Sequence, residues 1–338
     1  MSDLIIRLLN SSTRADFTRN STNVDLLPLP ASAPMDPRVS IALLIISFIG
    51  VVGNALALFV VFRTAYMRNT FGILCATLST SNLCISSIFF GWCSIRTLIV
   101  GTGFDDNLPE EYEKVVGQIT QFFWYACEWL HMALSVNRFL NIVFPLGRLR
   151  AFTERHNKAL AMVAVSFAFV QIIPYFWTDT CYISYNTSAM LWRFGDTQCG
   201  HYIEWWVDFG STMTAFVVVV IIDVWTLLRM RSNHKSQTSA VLVADQRKRR
   251  NLELRFFMQS LCHSIPFILM IFSYNIIARV VQRDWEKYIS LTLTWSAAHA
   301  MDGVIINVFH ARRIIFKSKH TGTTLNTVTT LFSSSVGR

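Results

Sequence analysis

Charged residues are scarce in this chain, and long apolar runs take their place. Asp, Glu, Lys and Arg make up 15% of the 338 residues, and hydrophobic residues make up 52%. A soluble domain carries nearer a quarter charged residues. The run Val39–Phe62 contains no charged residue at all. This shortage of charge excludes an ordinary soluble globular protein and favours a chain that lies in a membrane.

Two further kinds of pattern are missing. The first 38 residues lack the apolar core of roughly 7–15 residues that a cleavable signal peptide needs. We therefore expect the first membrane helix to direct insertion. The chain also lacks the HExxH, GxSxG and P-loop motifs of well-known enzyme classes. We expect no enzyme, no cofactor and no metal site.

Seven apolar blocks are present instead. Each is close to the roughly 20 residues with which a helix crosses about 30 Å of hydrocarbon. Backbone polar groups in lipid must bond within their own segment, which favours helices. We predict an all-α membrane protein, a bundle of seven transmembrane helices. The blocks are Val39–Phe62, Phe71–Trp92, Val115–Phe139, Ala159–Trp177, Trp205–Leu228, Phe256–Val281 and Tyr288–Phe309.

Basic residues divide the connecting segments into two sets. Segments 63–70, 138–158, 229–255 and 311–338 carry net charges of +2, +4, +6 and +5, whereas the alternate segments total −4. The positive-inside rule assigns the basic set to the cytoplasm. We therefore predict an extracellular tail at 1–38, a helical domain at 39–310 and a cytoplasmic tail at 311–338. The net charge of +9 points to a lipid bilayer and not to nucleic acid.

Three Asn-x-Ser/Thr sequons agree with this topology. Asn10, Asn20 and Asn186 all fall on segments that the charge pattern assigns to the outside. Chance sequons are common, so each alone carries little information. Together they predict a glycoprotein with its N-terminus outside.

The seven cysteines divide by location. Cys75, Cys84, Cys93, Cys127 and Cys262 lie in the apolar blocks, where a cysteine usually acts as a small buried apolar residue. Cys181 and Cys199 lie in a loop assigned to the oxidising compartment, and we expect them to be bridged. Two free thiols are the alternative.

Short motifs connect the blocks to a known superfamily. Asn137-Arg138-Phe139 ends the third block, Gly53-Asn54 lies in the first, and Pro266 lies in the sixth. These features resemble G-protein-coupled receptors. A narrower set, in order along the chain, resembles nematode chemoreceptors of the serpentine receptor class x family. It comprises Met67–Cys75, His131 with Val136–Phe139, Cys181–Tyr185, Trp192–Phe194 with Cys199, Leu254–Ser260 and His299–Gly303.

The resemblance implies a chemosensory receptor in the plasma membrane, or in a sensory cilium. Such a receptor binds a small environmental ligand in the outer half of its bundle and activates a heterotrimeric G protein at its cytoplasmic face. Asn137, Arg138, Phe139 and Asp223 fall where activation occurs in the resembled fold. The third inner loop adds a basic cluster, which alternatively sets topology or meets lipid headgroups. The cluster is Arg247, Lys248, Arg249 and Arg250.

Four positions depart from the superfamily pattern. Asn137 replaces the usual acid before the arginine, and Glu113 stands where the third span usually begins with a bridged cysteine. Ser264 stands two residues before Pro266 in place of the usual tryptophan. Asp302-Gly303 replaces the usual Asn-Pro near the end of the seventh span. A tryptophan switch in the sixth span is therefore not expected.

Polar residues of the third block fall on one helical stripe that includes His131 and Arg138, with Glu128 beside it. Because lipid would reject Glu128 and Arg138, this stripe should face the bundle. Asp223, near the end of the fifth span, is the best candidate partner for Arg138. The alternatives are an arginine that snorkels at a helix end and an aspartate hydrated at the bundle mouth.

Candidate ligand-binding residues lie in the outer half of the blocks. Pockets are mostly apolar with a few polar groups, and this set has that composition. Packing between helices is the alternative for each member. The candidates are Gln121, Trp124, Tyr125, Glu128, Glu204, Asp208, Tyr274, Trp295 and His299.

A polar hinge is predicted between spans one, two and seven. Related receptors usually carry Asp in the second span and Asn in the seventh, whereas the motif positions here hold Asn82 and Asp302. We expect Asn54, Asn82 and Asp302 to meet around water, with His299 one turn away, and to couple ligand binding to movement of the seventh span. Sodium or a proton could be held there. A cluster that only packs helices is the alternative.

A transporter or channel is the second functional hypothesis. Buried acids and histidines such as Glu128, Asp208, Asp302 and His131 could form an ion or proton path. The seven unequal blocks show no clear repeat, which argues against a transporter built from internal repeats.

Overall fold

The structure is a computed structural model that describes residues 36–63, 70–104, 108–143, 154–236 and 244–309. Residues 1–35 of the predicted N-terminal tail, the whole predicted tail at 311–338, and the sequons Asn10 and Asn20 lie outside the described residues. The described part of the chain is a bundle of seven long helices with one short β-hairpin, which confirms the predicted fold class.

The seven helices follow the predicted blocks and extend past most of them. Several combine consecutive segments, and α2, α5, α6 and α7 each contain a π-helical stretch. The helices without a π-helical stretch are α1, Ser40–Arg63, α3, Glu110–Val143, and α4, Glu154–Ile172, which ends in a 3₁₀ turn at Ile173–Phe176. Helix α2 consists of Thr70–Ile88, the π-helical Phe89–Ile95 and Arg96–Gly101, and α5 consists of Gln198–Tyr202, the π-helical Ile203–Phe209 and Gly210–Ser236. Helix α6 consists of Ala244–Phe272, the π-helical Ser273–Ile277 and Ala278–Val280, and α7 consists of Asp284–Tyr288, the π-helical Ile289–Leu293 and 294–309.

Helix α3 differs from the other six. In the described part of the chain, the other six are long and apolar enough to cross a membrane. Helix α3 carries Gln121, Glu128, His131 and Arg138, and all four side chains are buried. It contacts α2, α4, α5 and α6, so its polar face meets protein and not lipid. The third predicted block is therefore the polar centre of the bundle.

A β-hairpin covers one end of the bundle. Strands β1, Ile183–Asn186, and β2, Leu191–Phe194, pair antiparallel. The predicted disulfide between Cys181 and Cys199 is present and closes the loop that carries the hairpin. We call this half of the bundle the disulfide end and the opposite half the Arg138 end. The hairpin packs inward, since Thr292 of α7 donates to the carbonyl of Met190 at 2.7 Å.

Glycine allows α1 and α7 to approach closely. A β-carbon built on Gly303 would lie 2.6 Å from the backbone nitrogen of Asn54, a separation that side chains cannot accept. The glycine that replaces the usual proline after Asp302 therefore permits backbone contact between these helices. This contact sets the position of Asp302 along the long axis of the bundle.

Candidate functional site

A cavity opens between α3, α5, α6 and α7 at the disulfide end. Its empty space, which includes space open to solvent at its mouth, amounts to about 330 Å³. Aromatic and apolar side chains with a few polar groups form its wall, as is typical of sites for small molecules. The lining residues are Gln121, Trp124, Asp208, Thr212, Met270, Ile271, Tyr274, Asn275 and Trp295.

Asp208 is the acidic residue of this wall. It lies in the π-helical stretch of α5 and is 6% exposed. Its Oδ1 accepts hydrogen bonds from Nε2 of Gln121 at 2.6 Å and Nε1 of Trp124 at 3.2 Å. Both donors are neutral, and among the described residues Asp208 forms no salt bridge.

A second carboxylate, that of Glu128, lies one helical turn after Trp124 on α3. Glu128 is fully buried, and its Oε2 accepts from the hydroxyl of Thr212 at 3.2 Å. Its Oε1 has no hydrogen-bond partner within the part of the chain that the structure describes. Because Thr212 also lines the cavity, Glu128 lies just behind the wall.

Aromatic rings form much of the remaining wall. The indoles of Trp124 and Trp295 meet edge to face with centroids 5.7 Å apart, and Tyr274 lies 6.3 Å from Trp295. The same two indoles contact the imidazole of His299, at 6.0 and 6.4 Å. The wall thus has an aromatic surface towards the cavity and a histidine behind it.

Five of the nine predicted ligand-binding residues line the cavity: Gln121, Trp124, Asp208, Tyr274 and Trp295. The other four do not. Tyr125 bonds the hydroxyl of Tyr175 at 2.9 Å, Glu128 and His299 lie behind the wall, and Glu204 lies near His201.

Sequence reasoning missed four lining residues: Thr212, Met270, Ile271 and Asn275. Met270 and Ile271 lie four and three residues before Tyr274, and Asn275 lies four residues after Ile271. Helical spacing from Tyr274 would therefore have found the α6 members. Thr212 lies four residues beyond Asp208 on α5 and follows from the same spacing.

Towards the Arg138 end, Asp302 of α7 is surrounded by donors from three other helices. Nδ1 of His263 on α6 lies 2.7 Å from Oδ1, and Nε2 of His131 on α3 lies 3.2 Å from Oδ2. Nδ2 of Asn82 on α2 donates to Oδ2 at 2.9 Å. An ionised carboxylate only accepts hydrogen bonds, so each imidazole presents an N–H to it.

Asn82 connects this carboxylate to the aromatic wall. Its Oδ1 accepts from Nδ1 of His299 at 2.6 Å and from the thiol of Cys127 at 3.2 Å. His299 in turn contacts Trp124 and Trp295. A continuous set of contacts therefore runs from the cavity wall to Asp302.

The predicted hinge of Asn54, Asn82 and Asp302 is only partly formed. Asn82 contacts Asp302 as expected, but Nδ2 of Asn54 donates to the carbonyls of His299 and Gly50, at 3.0 and 2.9 Å. Asn54 therefore binds the α7 backbone next to the cluster and not the carboxylate. Two imidazoles occupy the space around Asp302, and His263 had no signal in the sequence beyond its place in an apolar block.

Arg138 and Asp223 form the ion pair expected from the sequence. Nη2 of Arg138 lies 2.8 Å from Oδ1 of Asp223, and the two residues are 5% and 8% exposed. Ser264 of α6 donates to Oδ2 of Asp223 at 2.9 Å, and Nη2 of Arg138 reaches the same hydroxyl at 3.4 Å. Helices α3, α5 and α6 are thus joined at one buried charge pair.

Helix α6 connects the two polar clusters. His263 contacts Asp302, and the next residue, Ser264, contacts Asp223 and Arg138. The serine that replaces the usual tryptophan is therefore hydrogen-bonded to both members of the charge pair. Any rotation or outward movement of α6 must change both sets of contacts together.

The remaining residues predicted for G-protein coupling lie near the same end. Asn137 is buried, and the ring of Phe139 meets Trp225 of α5 with centroids 5.5 Å apart. Residues 247–250 fall within the first segment of α6, and their side chains lie outside the described residues. The sequon Asn186 is exposed at the end of β1, and its Oδ1 accepts from the backbone of Ala189 at 2.7 Å.

Comparison with known proteins places this geometry in a family. Residues 44–310 match the family model described as serpentine type 7TM GPCR chemoreceptor Srx. The chain is 23% identical over 295 residues to Serpentine receptor class X 45 of Caenorhabditis elegans, which covers 82% of this chain and 79% of that protein. It is 27% identical over 170 residues to human G-protein coupled receptor 183, covering 50% and 45% of the two chains.

The fold is also that of a solved receptor. Squid rhodopsin superposes with a TM-score of 0.67 at 16% identity, covering 87% of this chain and 84% of that one. These findings favour a multi-pass receptor over the transporter or channel hypothesis, and the family is not one of enzymes. The chain belongs to the Srx family of serpentine seven-transmembrane, G-protein-coupled chemoreceptors.

Proposed function

We propose that this receptor binds a small environmental chemical in the cavity at the disulfide end and activates a heterotrimeric G protein at the Arg138 end. Its proposed location is the plasma membrane, and the family suggests a sensory cilium. The observation that supports the proposal is the unbroken set of buried contacts between the cavity wall and the Arg138–Asp223 pair.

The proposed signal begins in the wall. A ligand that presses on Trp124 or Trp295 moves the indoles that contact His299. His299 holds Asn82, and Asn82 holds Asp302. Because packed interiors switch between discrete arrangements and do not deform smoothly, a small shift of the indoles can be amplified along this path.

Release of α6 is the proposed output. In the structure α6 is held twice, by His263 on Asp302 and by Ser264 on the charge pair. A ligand that weakens the first contact lowers the cost of breaking the second. Arg138 is then free to leave Asp223 and meet the G protein. The ligand acts only through its different affinity for the two arrangements.

The proposed orientation follows from charge. Segments at the Arg138 end carry the basic residues, including Arg247–Arg250, and so belong to the cytoplasm under the positive-inside rule. The disulfide and the exposed Asn186 then lie in the oxidising compartment, where disulfides persist and sequons are glycosylated.

A nucleotide-exchange assay tests the proposal. Purified receptor in lipid nanodiscs is mixed with each class of G-protein heterotrimer, and basal exchange is measured with no ligand added. We expect exchange with at least one class, and loss of exchange in Arg138→Ala. Arg193→Ala, which removes an exposed arginine from β2, is the matched control.

Two results would contradict the proposal. The first is that Arg138→Ala and Arg193→Ala behave alike. The second is a chemically evoked current in cells that lack functional G proteins, which would return the transporter or channel hypothesis to first place.

A further inference from the structure

The four acids that are buried among the described residues differ in the charge of their partners. Asp302 has two imidazoles beside it and Asp223 has a guanidinium. In the part of the chain that the structure describes, Asp208 at the cavity and Glu128 behind its wall accept from neutral amide, indole and hydroxyl groups and from no cation. We infer that the cavity takes a small cationic ligand, an amine, whose ammonium group pairs with Asp208. This inference rests on the proposed ligand-binding function of the cavity.

The argument starts from the cost of a buried charge. A carboxylate removed from water without a cation is expensive, and two neutral hydrogen bonds offset only part of that cost. Asp208 is 6% exposed and lines a cavity, so a ligand can reach it. An ammonium group delivered there satisfies the carboxylate with a charge-assisted bond. A neutral or anionic ligand would leave the cost in place or raise it.

The wall provides a second attraction for a cation. Trp124, Tyr274 and Trp295 present aromatic rings to the same cavity. A cation within about 6 Å of an aromatic face is attracted by about 0.5–2 kcal/mol, most strongly by tryptophan. These groups all favour the same sign of charge.

The nearest basic residue along α6 stacks on aromatic rings of α5. Arg279 follows Asn275 by one turn, and its guanidinium lies 4.2 and 5.3 Å from the rings of Trp205 and Phe209. Its Nε donates to the carbonyl of Asn275 at 3.1 Å. Within the described residues it makes no salt bridge to Asp208.

The sequence also favours a cation. The connecting segments that the charge pattern assigns to the outside total −4. A net negative charge on that side raises the local concentration of ligands with the opposite sign. The empty space is about 330 Å³ even when the open mouth is included, so the amine must be small.

A thermal-stability experiment tests the inference on the full-length receptor in nanodiscs. The probes are butylamine, cyclohexylamine and phenethylamine, each paired with the alcohol of the same carbon skeleton. Both members of a pair are offered at equal millimolar concentration. We expect at least one amine to raise Tm by roughly 2–4 °C, and its alcohol to leave Tm unchanged.

Two variants locate the effect. Asp208→Asn keeps the size and the accepting oxygen of the side chain and should abolish the shift by the amine. Glu111→Gln removes the same charge from an exposed position on the same end of the bundle and should retain the shift. The comparison of amine with alcohol on the unaltered receptor remains decisive if Asp208→Asn does not fold.

Three results overturn the inference: no amine stabilises the receptor, the alcohols stabilise it equally, or Asp208→Asn keeps the shift. Basal nucleotide exchange, measured on the same preparation with Arg138→Ala as its negative control, separates this inference from the proposed function. If basal exchange is observed but no amine stabilises the receptor, the proposed G-protein activation stands and only the inference of an amine ligand is rejected.

Discussion

The disulfide end and the Arg138 end of the bundle handle buried negative charge in opposite ways. At the Arg138 end and the bundle centre, each carboxylate is matched inside the protein: Asp223 by Arg138, and Asp302 by His131, His263 and Asn82. At the disulfide end, Asp208 and Glu128 are held by neutral donors beside an open cavity.

This difference separates two uses of a buried acid. A carboxylate matched by side chains from several helices holds those helices in one arrangement, and removing its partners is costly. A carboxylate without an internal cation contributes little to that arrangement and is available to a molecule from outside. The predictions below test this contrast, beginning with the largest expected effect.

Removing the charge of Asp302 should damage the fold far more than removing the charge of Asp208. Asp302 receives contacts from α2, α3 and α6. Asp302→Asn should therefore lower the free energy of unfolding by about 3 kcal/mol or more, as expected for one member of a buried charged network. Asp208→Asn should change it by less than about 1 kcal/mol. The thermal midpoints of the two variants in nanodiscs measure the difference. Equal losses of stability would contradict the proposed difference between the two ends.

Exchanging the amide and the carboxylate tests whether Asn82 and Asp302 share one cluster. Their side chains are 2.9 Å apart, so Asn82→Asp alone places two carboxylates together and should impair basal signalling strongly. Adding Asp302→Asn should restore part of that signalling, because His299 already lies 2.6 Å from position 82. Full recovery is not expected, since His131 and His263 face position 302.

Nucleotide exchange by the single and double variants, corrected for surface expression, measures the result. A double variant no better than Asn82→Asp would show that the two positions act separately.

Asp223→Asn should release Arg138 in the resting receptor. The pair is buried, so removing the carboxylate leaves the Arg138 guanidinium without its counter-ion, and the loss of stability should be about 3 kcal/mol. Basal nucleotide exchange should rise several-fold. Ser264→Ala, which removes the hydroxyl between α6 and the pair, should raise it less. Basal exchange equal to that of the unaltered receptor would leave Asp223 without a part in holding the resting state.

The smallest effect is expected for Glu128→Gln. Among the described residues its Oε1 has no hydrogen-bond partner, and Oε2 accepts a single neutral hydroxyl. An amide keeps that one bond, so stability should change by less than about 1 kcal/mol. The thermal midpoint checks this, with Asp302→Asn as the contrasting variant. A loss as large as that of Asp302→Asn would mean that Glu128 supports the fold.

Patterns local in the sequence were sufficient for the architecture. Seven apolar blocks gave the helices, because a backbone in hydrocarbon has few alternatives to a helix. The stripe of Glu128, His131 and Arg138 correctly predicted that α3 faces protein. The disulfide followed from the location of two cysteines. The contact between Asn82 and Asp302 followed from motif positions whose residues are exchanged relative to related receptors.

Other features required the packed bundle. Ser264 and His263 belong to one apolar block, and nothing in their neighbours predicts that one joins the Arg138 pair and the other binds Asp302. Asn54 was expected at the carboxylate but binds the α7 backbone, because glycine at 303 brings α1 and α7 into backbone contact. Such contacts depend on rotation and height of helices more than 100 residues apart in the chain.

The sequence by itself determined that this protein is a seven-helix membrane protein with a polar third helix, because hydrophobicity, charge asymmetry and helical periodicity are properties of short segments. The sequence also proposed Arg138 as the partner of Asp223, but only the tertiary structure decided the partners of Asp302 and Asp208. Asp302 and Asp223 lie where helices bring imidazole or guanidinium groups to them, and Asp208 lies at a cavity where they bring only neutral donors. Charge pairing between helices is set by their relative rotation, which no single segment encodes.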